Sequence, residues 1–367
     1  DHCPGPIPSV PQPYDQEASL YNAMISPWKH VSFRSFLWYQ GESNASEQDS
    51  AEYYSCRFQA LIRSWRETKN HGDIPFIYMQ LPPSAPSDPS GTAPDMDRPS
   101  IREAQAMASP SPFGPVDISG GVVGVDLGGK SAWGYNHPPN KPEMARRMAL
   151  MNLHVAFGNQ QRVTFDGEPN AAMLWTGPVP ESARVQDDHD DVVVITFHNE
   201  TAVGFHLADV TGVNIDGSWN NCTLCCQGQP GFEVSFNNGT NFTRVPSSNV
   251  HVSPQSATVT LTNLSALSLG NNHRPYPDYL LLRGAPVPVF AARPTTIRYG
   301  WTDFVECALR NNDSLPSAPF LMDVAPAAGE TARDDVEMRE IRGEVVVGIG
   351  GGHEASSSSS SSSLSSS

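Results

Sequence analysis

Residues 37–44 read LWYQGESN, and this stretch decides how the first half of the chain is interpreted. It begins inside the apolar run of residues 31–40, which predicts a buried β-strand, and passes directly into a polar turn. The turn holds a glycine flanked by amide and carboxylate side chains. Backbone N–H groups and side-chain amides at such a turn can stabilise an oxyanion. The alternative is a polar turn whose groups bond only to one another.

Strands and helices alternate outward from this stretch. Apolar runs predict further strands at 75–81 and 121–127, and apolar residues at helical spacing predict helices at 17–26, 51–67, 100–108 and 141–158. The last helix carries a stripe that is predicted to pack in the core, formed by Met144, Met148, Met151 and Val155. This order predicts a three-layer α/β/α domain with a parallel sheet over residues 1–160.

The pattern changes near residue 160. Short strands separated by Gly, Asn and Pro are predicted at 191–199, 231–236, 257–264, 278–283 and 295–301. Residues 161–325 are therefore predicted to form an all-β, sandwich-like domain. Residues 326–367 are polar and end in a serine run, which predicts a disordered tail because such a composition cannot form a core.

Charge excludes some partners. The chain has 23 basic and 39 acidic residues and a net charge of −16. A field of that sign repels phosphate backbones, so nucleic acid is excluded as a partner. An anionic sugar would need a local basic group. No run of 18 apolar residues occurs, so no membrane span is predicted.

Cysteines and glycosylation sequons indicate the compartment. The six cysteines are Cys3, Cys56, Cys222, Cys225, Cys226 and Cys307. Three of them are clustered, but no matching CxxC or His pair follows, so disulfides are favoured over zinc and no metal site is expected. N-x-S/T sequons occur at Asn44, Asn199, Asn221, Asn238, Asn241, Asn263 and Asn312. We expect a glycoprotein that is lysosomal or secreted.

His137 is the candidate general base. It lies in NHPPNK just before the helix predicted at 141–158, and Pro138 and Pro139 restrict the backbone beside it. Rigid placement is what a general base needs. The alternative is an ordinary histidine of a surface loop.

These segments together resemble a known family. The matching segments are LYNAMISP, LWYQGESNA, SWRE, PFIYMQLP, REAQ, VDL, HPPNK, AFG, IRYGW and LPSAPF. In this order they resemble the sialate O-acetylesterases of the SGNH-hydrolase type, over residues 17–325. LWYQGESN is the most specific of the motifs, and its occurrence before HPPNK in the same order strengthens the resemblance.

The resemblance implies hydrolysis of O-acetyl esters on sialic acids, without a cofactor. In that family a serine of an upstream G-Q-S-N segment attacks the acetyl carbonyl, and the histidine of HPxxK takes its proton. Carried across, His137 is the general base, and Gln40, Gly41 and Asn44 are the oxyanion or substrate-binding residues. Asp126, in the matching VDL, is the candidate to orient His137.

The sequence departs from the family pattern in two places. The family's D-x-x-H acid is replaced by Gly134, so a Ser-His dyad is an alternative to a triad with Asp126. Only 19 residues precede LYNAMISP, and none forms G-Q-S-N, so the resemblance implies that the α/β domain is incomplete at its N-terminus. We therefore expect the chain to be inactive alone and to need an N-terminal fragment with the nucleophile, whether that fragment is a cleaved chain or absent from this sequence. Ser43 is the less favoured nucleophile, because it lies in the oxyanion segment.

Two other functions fit the sequence less well. One is a catalytically dead glycan-binding or structural module. The other is an acetylxylan-type carbohydrate esterase, since such enzymes share a QGE segment. YNAMI, RYGW and LPSAPF favour an O-acetylated sialic acid or glycoconjugate as substrate.

Overall fold

The computed structural model describes residues 18–45, 48–69, 74–83, 97–107, 119–129, 131–132, 137–158, 174–187, 189–209, 212–213, 219–220, 230–270, 279–282, 285–288, 293–303, 305 and 307–327. The tail predicted at 326–367 lies almost entirely outside these residues, as do Cys3, Asn221 and the cluster Cys222–Cys226. The boundaries of the two predicted domains stay predictions.

A three-stranded parallel sheet forms the centre of the first half. Its strands are β1 (Phe36–Trp38), β2 (Phe76–Met79) and β3 (Ser119–Val122), in the order β1-β2-β3. The strand predicted at 121–127 was placed too late along the chain. After β3 the chain leaves the ladder and turns, with the Leu127 N–H donating to the Gly124 carbonyl, so this part of the apolar run is buried without being a strand.

Helices cover both faces of the sheet. They are α1 (Glu42–Ala45), α2 (Gln48–Lys69), α3 (Arg98–Ala106) and α4 (Lys141–Phe157). Side chains alternate between the faces of a strand, so Phe76 and Tyr78 pack against α2 and α3, whereas Ile77 and Met79 pack against α4. The predicted three-layer α/β/α arrangement is confirmed. The core stripe of α4 is also confirmed, with Met144 and Met151 buried and Met148 and Val155 packed beside them.

The segment before β1 is less regular than predicted. A single helix was expected over 17–26, but a π-helical turn at Tyr21–Ile25 is followed by a 3₁₀ turn at Ser26–Trp28. Pro27 lies in the first turn of the 3₁₀ segment and has no N–H to continue the preceding hydrogen-bond ladder. Several large apolar side chains here and on β1 are exposed, namely Leu20, Met24, Trp28, Val31 and Leu37.

The second half is built from short antiparallel strands and one helix. These are β4 (Pro180–Gln186), β5 (His189–Phe197), β6 (His206–Asp209), β7 (Gly212–Val213), β8 (Trp219–Asn220), β9 (Phe232–Ser235), β10 (Thr243–Arg244), β11 (Val250–Ser253), β12 (Thr258–Leu261), α5 (Leu264–Gly270), β13 (Tyr279–Leu282), β14 (Ala285–Pro288), β15 (Thr296–Tyr299), β16 (Cys307–Arg310) and β17 (Phe320–Asp323). The two larger sheets have the orders β10-β9-β15-β17 and β11-β12-β5-β4. They share one apolar core, which includes Val193, Ile195, Val234, Val259 and Ile297.

Buried arginines join the two halves. The Arg102 guanidinium on α3 donates to the Leu81 carbonyl at 2.7 Å and to the carbonyls of Thr302 and Asp303, each at 2.8 Å. Arg98, one turn earlier, forms an ion pair with Asp303. Both arginine side chains are almost wholly buried. Helix α3 is therefore fixed to the loop between β15 and β16 by charged groups rather than by apolar packing alone.

The described helices include none that is long and apolar enough to cross a membrane. The two cysteines in the described ranges, Cys56 and Cys307, include no free thiol.

Candidate active site

The turn after β1 brings Gln40, Gly41 and Asn44 together. Gln40 Nε2 donates to Asn44 Oδ1 at 2.7 Å, and the Ala45 N–H closes the turn on the Gly41 carbonyl at 3.0 Å. Gly41 has a φ of 142°, which side-chain-bearing residues rarely adopt, and a Cβ there would lie 3.1 Å from Ile101 Cγ2. The glycine of the QGE segment is thus required by backbone conformation and by the close approach of α3.

Two residues that were not predicted for the site fix this turn. Tyr54 on α2 donates through its hydroxyl to Gln40 Oε1 at 3.0 Å. Gln105 on α3 donates through Nε2 to the Gln40 carbonyl at 3.0 Å, and its Oε1 accepts from the Leu81 N–H at 2.9 Å. Burial raises the pKa of Tyr54, so its hydroxyl stays a donor. Gln105 belongs to the REAQ segment, and its place in that motif was the only signal that the sequence offered.

These contacts orient the Gln40 amide. Its oxygen accepts from Tyr54 and one of its two N–H groups is directed to Asn44, so the nitrogen lies on the Asn44 side of the turn. A fixed amide dipole needs little reorganisation when negative charge develops nearby. The arrangement can therefore serve as an oxyanion site, which is the role predicted for Gln40, Gly41 and Asn44 and stays a prediction.

The HPPNK segment begins α4. His137 is exposed and Pro138 is buried, so the segment is anchored beside its histidine. Asn140 is the N-cap of α4, and its Oδ1 accepts from the Glu143 N–H at 3.4 Å. Pro142 occupies the first helical turn. The capped start of α4 thus fixes the backbone that follows His137.

Lys141 and Tyr39 connect the two motif segments. Lys141 Nζ lies 3.2 Å from Tyr39 Oη and 4.3 Å from the centre of the Tyr39 ring. Burial and the nearby Glu42 carboxylate raise the pKa of Tyr39, and burial lowers the pKa of Lys141 despite Glu42. The hydroxyl accepts from the ammonium group. HPPNK and WYQGESN therefore meet at one edge of the sheet, at the carboxyl end of β1, where catalytic groups of α/β proteins gather.

Asp126 is the centre of an arginine network. Its Oδ1 accepts from Arg147 at 2.5 Å, and its Oδ2 accepts from Arg147 at 2.8 Å and from Arg310 at 2.7 Å. Burial alone would raise the pKa of Asp126, but Arg147 and Arg310 more than offset it and the pKa lies below its usual value. Among the described residues, both carboxylate oxygens of Asp126 therefore accept hydrogen bonds from guanidinium groups. The role of Asp126 in orienting His137 stays a prediction.

The structure provides little evidence on the remaining residues that the sequence singled out. Ser43 is exposed on α1, and its role as nucleophile stays untested. Gly134 lies outside the described residues. Among the described ranges, no group of three or more His, Cys, Asp or Glu side chains is arranged to hold a metal ion.

A family comparison matches the segment that contains this turn. Residues 9–110 match the family described as "Carbohydrate esterase, sialic acid-specific acetylesterase". The matched range includes the Gln40–Asn44 turn together with Tyr54 and Gln105, which support it. The resemblance that the motifs carried is therefore confirmed.

Individual relatives agree with this family. The chain is 31% identical over 209 residues to sialate O-acetylesterase of Homo sapiens, an alignment that covers 54% of this chain and 36% of the relative. It is 33% identical over 159 residues to sialate O-acetylesterase of Mus musculus, covering 40% and 28%. The chain thus spans about a third of the length of the curated relatives it matches.

A solved structure shares the fold. The crystal structure of a carbohydrate acetylesterase from Xanthomonas citri superposes with a TM-score of 0.54 at 23% identity. The superposition covers 83% of this chain and 54% of that one, so the common fold extends through both halves.

Proposed function

We propose that this chain is part of a carbohydrate esterase that removes O-acetyl groups from sialic acids by serine-type hydrolysis. The observation that carries the proposal is the contact between Lys141 and Tyr39, because it joins HPPNK to WYQGESN at one edge of the sheet. The names of the relatives support the substrate class.

The chemistry divides between these segments. A serine hydroxyl attacks the acetyl carbonyl, and His137 takes the hydroxyl proton. Amide and backbone N–H groups of Gln40, Gly41 and Asn44 stabilise the oxyanion. The C–O bond to the sugar then breaks and His137 returns the proton to the sugar oxygen. His137 then takes a proton from water, whose oxygen attacks the acyl carbonyl. The bond to the serine oxygen breaks, acetate leaves, and His137 returns the proton to the serine.

The serine comes from an N-terminal segment with G-Q-S-N in this proposal. The chain by itself is then inactive, because His137 and the oxyanion groups without a nucleophile leave only a weak residual catalysis over water. Lys141 is the basic group that the sialic acid carboxylate requires in this proposal, since its ammonium group lies beside Tyr39 at the start of the turn.

Export to a lysosome or to the extracellular space is part of the proposal. The sequon asparagines that favour it are exposed on the second half, namely Asn199, Asn238, Asn241, Asn263 and Asn312. Asn44 is half-buried and hydrogen-bonded to Gln40, which disfavours a glycan at that sequon. Disulfides among the cysteines fit the same compartment.

Reconstitution tests the function. The isolated chain is expected neither to deacetylate a 9-O-acetyl sialoside nor to react with a fluorophosphonate serine probe. Addition of an N-terminal fragment with G-Q-S-N should restore both, and His137→Ala should then abolish turnover while the exposed His206→Ala leaves it unchanged.

Two results would contradict the assignment. Labelling of the isolated chain that disappears in Ser43→Ala would make Ser43 the nucleophile. Turnover of acetylated xylan in preference to the sialoside would replace the substrate class.

A further inference from the structure

A cavity of about 610 Å³ lies between the two halves, along the outer edge of β3. Its walls come from β2 and β3, from α3 and α4, and from the β-strand half through the segments 175–180 and 318–321. Its volume is within the range of sites for small organic ligands, roughly 300–1,000 Å³. None of Gln40, Gly41, Asn44 or His137 lines it, so it is separate from the candidate active site.

One residue of the cavity wall has a buried polar atom without a hydrogen-bond partner among the described residues. Gln80 is 4% exposed and lines the wall. Its Nε2 donates to the Arg102 carbonyl at 3.4 Å, whereas its Oε1 is buried and accepts no hydrogen bond from the part of the chain that the structure describes. Buried polar atoms are rarely left unsatisfied in native proteins. A ligand hydroxyl in the cavity would supply the missing donor.

Aromatic rings form a second part of the lining. Trp175 stacks on His154 with ring centres 3.8 Å apart and planes 6° from parallel, and both line the cavity. His154 Nδ1 is buried and makes no hydrogen bond among the described residues. Trp301 adds another indole to the wall. Flat apolar surfaces next to hydrogen-bonding groups suit a ligand that has one apolar face and polar edges.

The charge of the lining limits the ligand further. Glu103 contributes a carboxyl group, and the described residues of the lining include no lysine or arginine. A carboxylate or phosphate would be repelled by Glu103 when it is ionised. The Glu103 carboxyl group therefore favours a neutral ligand over an anionic one.

We propose that this cavity is a second carbohydrate site, which binds one neutral pyranose ring with its C–H face against the tryptophans and a hydroxyl donating to Gln80. The choice of a sugar among neutral ligands rests on the proposed carbohydrate esterase function. The site would hold an uncharged sugar unit of a glycan while the acetylated sialic acid occupies the other site.

Binding of defined sugars to the whole chain tests the proposal. The probes are methyl β-D-galactopyranoside, N-acetyl-D-glucosamine and the anionic methyl glycoside of N-acetylneuraminic acid, followed by tryptophan fluorescence and calorimetry. At least one neutral sugar should bind about tenfold more tightly than the sialoside. Trp175→Ala and Gln80→Met should each weaken it by about tenfold or more, and the exposed Trp28→Ala should not.

The variant Glu103→Gln tests whether the charge of the cavity wall controls which sugar binds. This change removes the negative charge, so affinity for the anionic sialoside should rise while that for the neutral sugar is retained. If Gln80→Met fails to fold, as judged by circular dichroism, Trp301→Ala makes the same test from the other wall.

Failure of this site and failure of the esterase function are distinguishable. If the reconstituted enzyme deacetylates its substrate but binds no neutral sugar, only the proposal of a second carbohydrate site is disproved. Binding of no neutral sugar, or binding that none of the cavity variants weakens, would overturn the proposal. So would a preference for an apolar probe such as 1-naphthol over all the sugars.

Discussion

Asp126 has hydrogen-bond partners in the structure that the match of its motif did not predict. The match to VDL predicted that its carboxylate orients His137. In the structure both oxygens accept hydrogen bonds from Arg147, on α4, and from Arg310, on β16. The carboxylate therefore holds a helix of the first half to a strand of the second half, and this contact is a sufficient reason for an acid at this position.

Asp126→Asn tests these two roles. The change leaves the buried Arg147 and the half-buried Arg310 without this carboxylate, so the free energy of unfolding should fall by about 3–5 kcal/mol, measured by urea denaturation. In the reconstituted esterase the pH profile of kcat should keep its shape. Full stability combined with a shifted kcat profile would instead assign Asp126 to His137.

Acid should weaken the same network. Burial opposes ionisation of Asp126 and Glu143, but their arginine partners dominate and hold both pKa values below the usual ones. Groups with depressed pKa values contribute stability above their unfolded values, near 4, and this is lost as the pH falls through the folded values. Urea midpoints should therefore drop between pH 5 and pH 3, and less so in Asp126→Asn. An equal drop in that variant would place the acid-sensitive groups elsewhere.

At the scale of elements, sequence prediction succeeded where the periodicity was long. Helix α4 was predicted at 141–158 and occupies Lys141–Phe157, because its apolar stripe and its flanking proline and glycine agree. Strand β4 was not predicted, because only Ala183 and Val185 among its residues are buried and its alternation is weak. The turn at Gln40 was found, but its partner Gln105 was not, since contacts between distant segments leave no local pattern.

The start of α4 links helix stability to the placement of His137. Asn140→Ala removes the side-chain acceptor for the Glu143 N–H and should cost about 1 kcal/mol of stability. It should also lower kcat of the reconstituted enzyme, because the HPPNK segment is then less fixed. Asn140→Asp keeps an acceptor and is the matched control. Thermal melting and kinetics measure the two effects, and an unchanged melting temperature in Asn140→Ala would show that the cap is dispensable.

Over the whole molecule, buried charge couples the two halves. Burial lowers the pKa of Arg102 to about 9, and Asp303 counteracts this shift. The side chain is therefore protonated at neutral pH and donates to three carbonyls, two of them in the second half. The halves should unfold together in a single transition.

Arg102→Met should uncouple them. The variant removes these donors and leaves the carbonyls of Leu81, Thr302 and Asp303 without this partner. Urea curves followed by tryptophan fluorescence and by circular dichroism should then separate, whereas they coincide in the unchanged chain. Arg184→Met, at an exposed position of β4, is the control. Coincident curves with an unaltered midpoint would show that apolar packing alone couples the halves.

The outer strand β1 has a practical consequence for handling the protein. Within the described residues, β1 has a sheet neighbour on one side only, and the side chain of Leu37 on this strand is 58% exposed. Open edges flanked by apolar side chains recruit other chains. Concentrated solutions of the protein should consequently self-associate and become turbid on storage. A mild detergent, which covers exposed apolar surface, should prevent this turbidity.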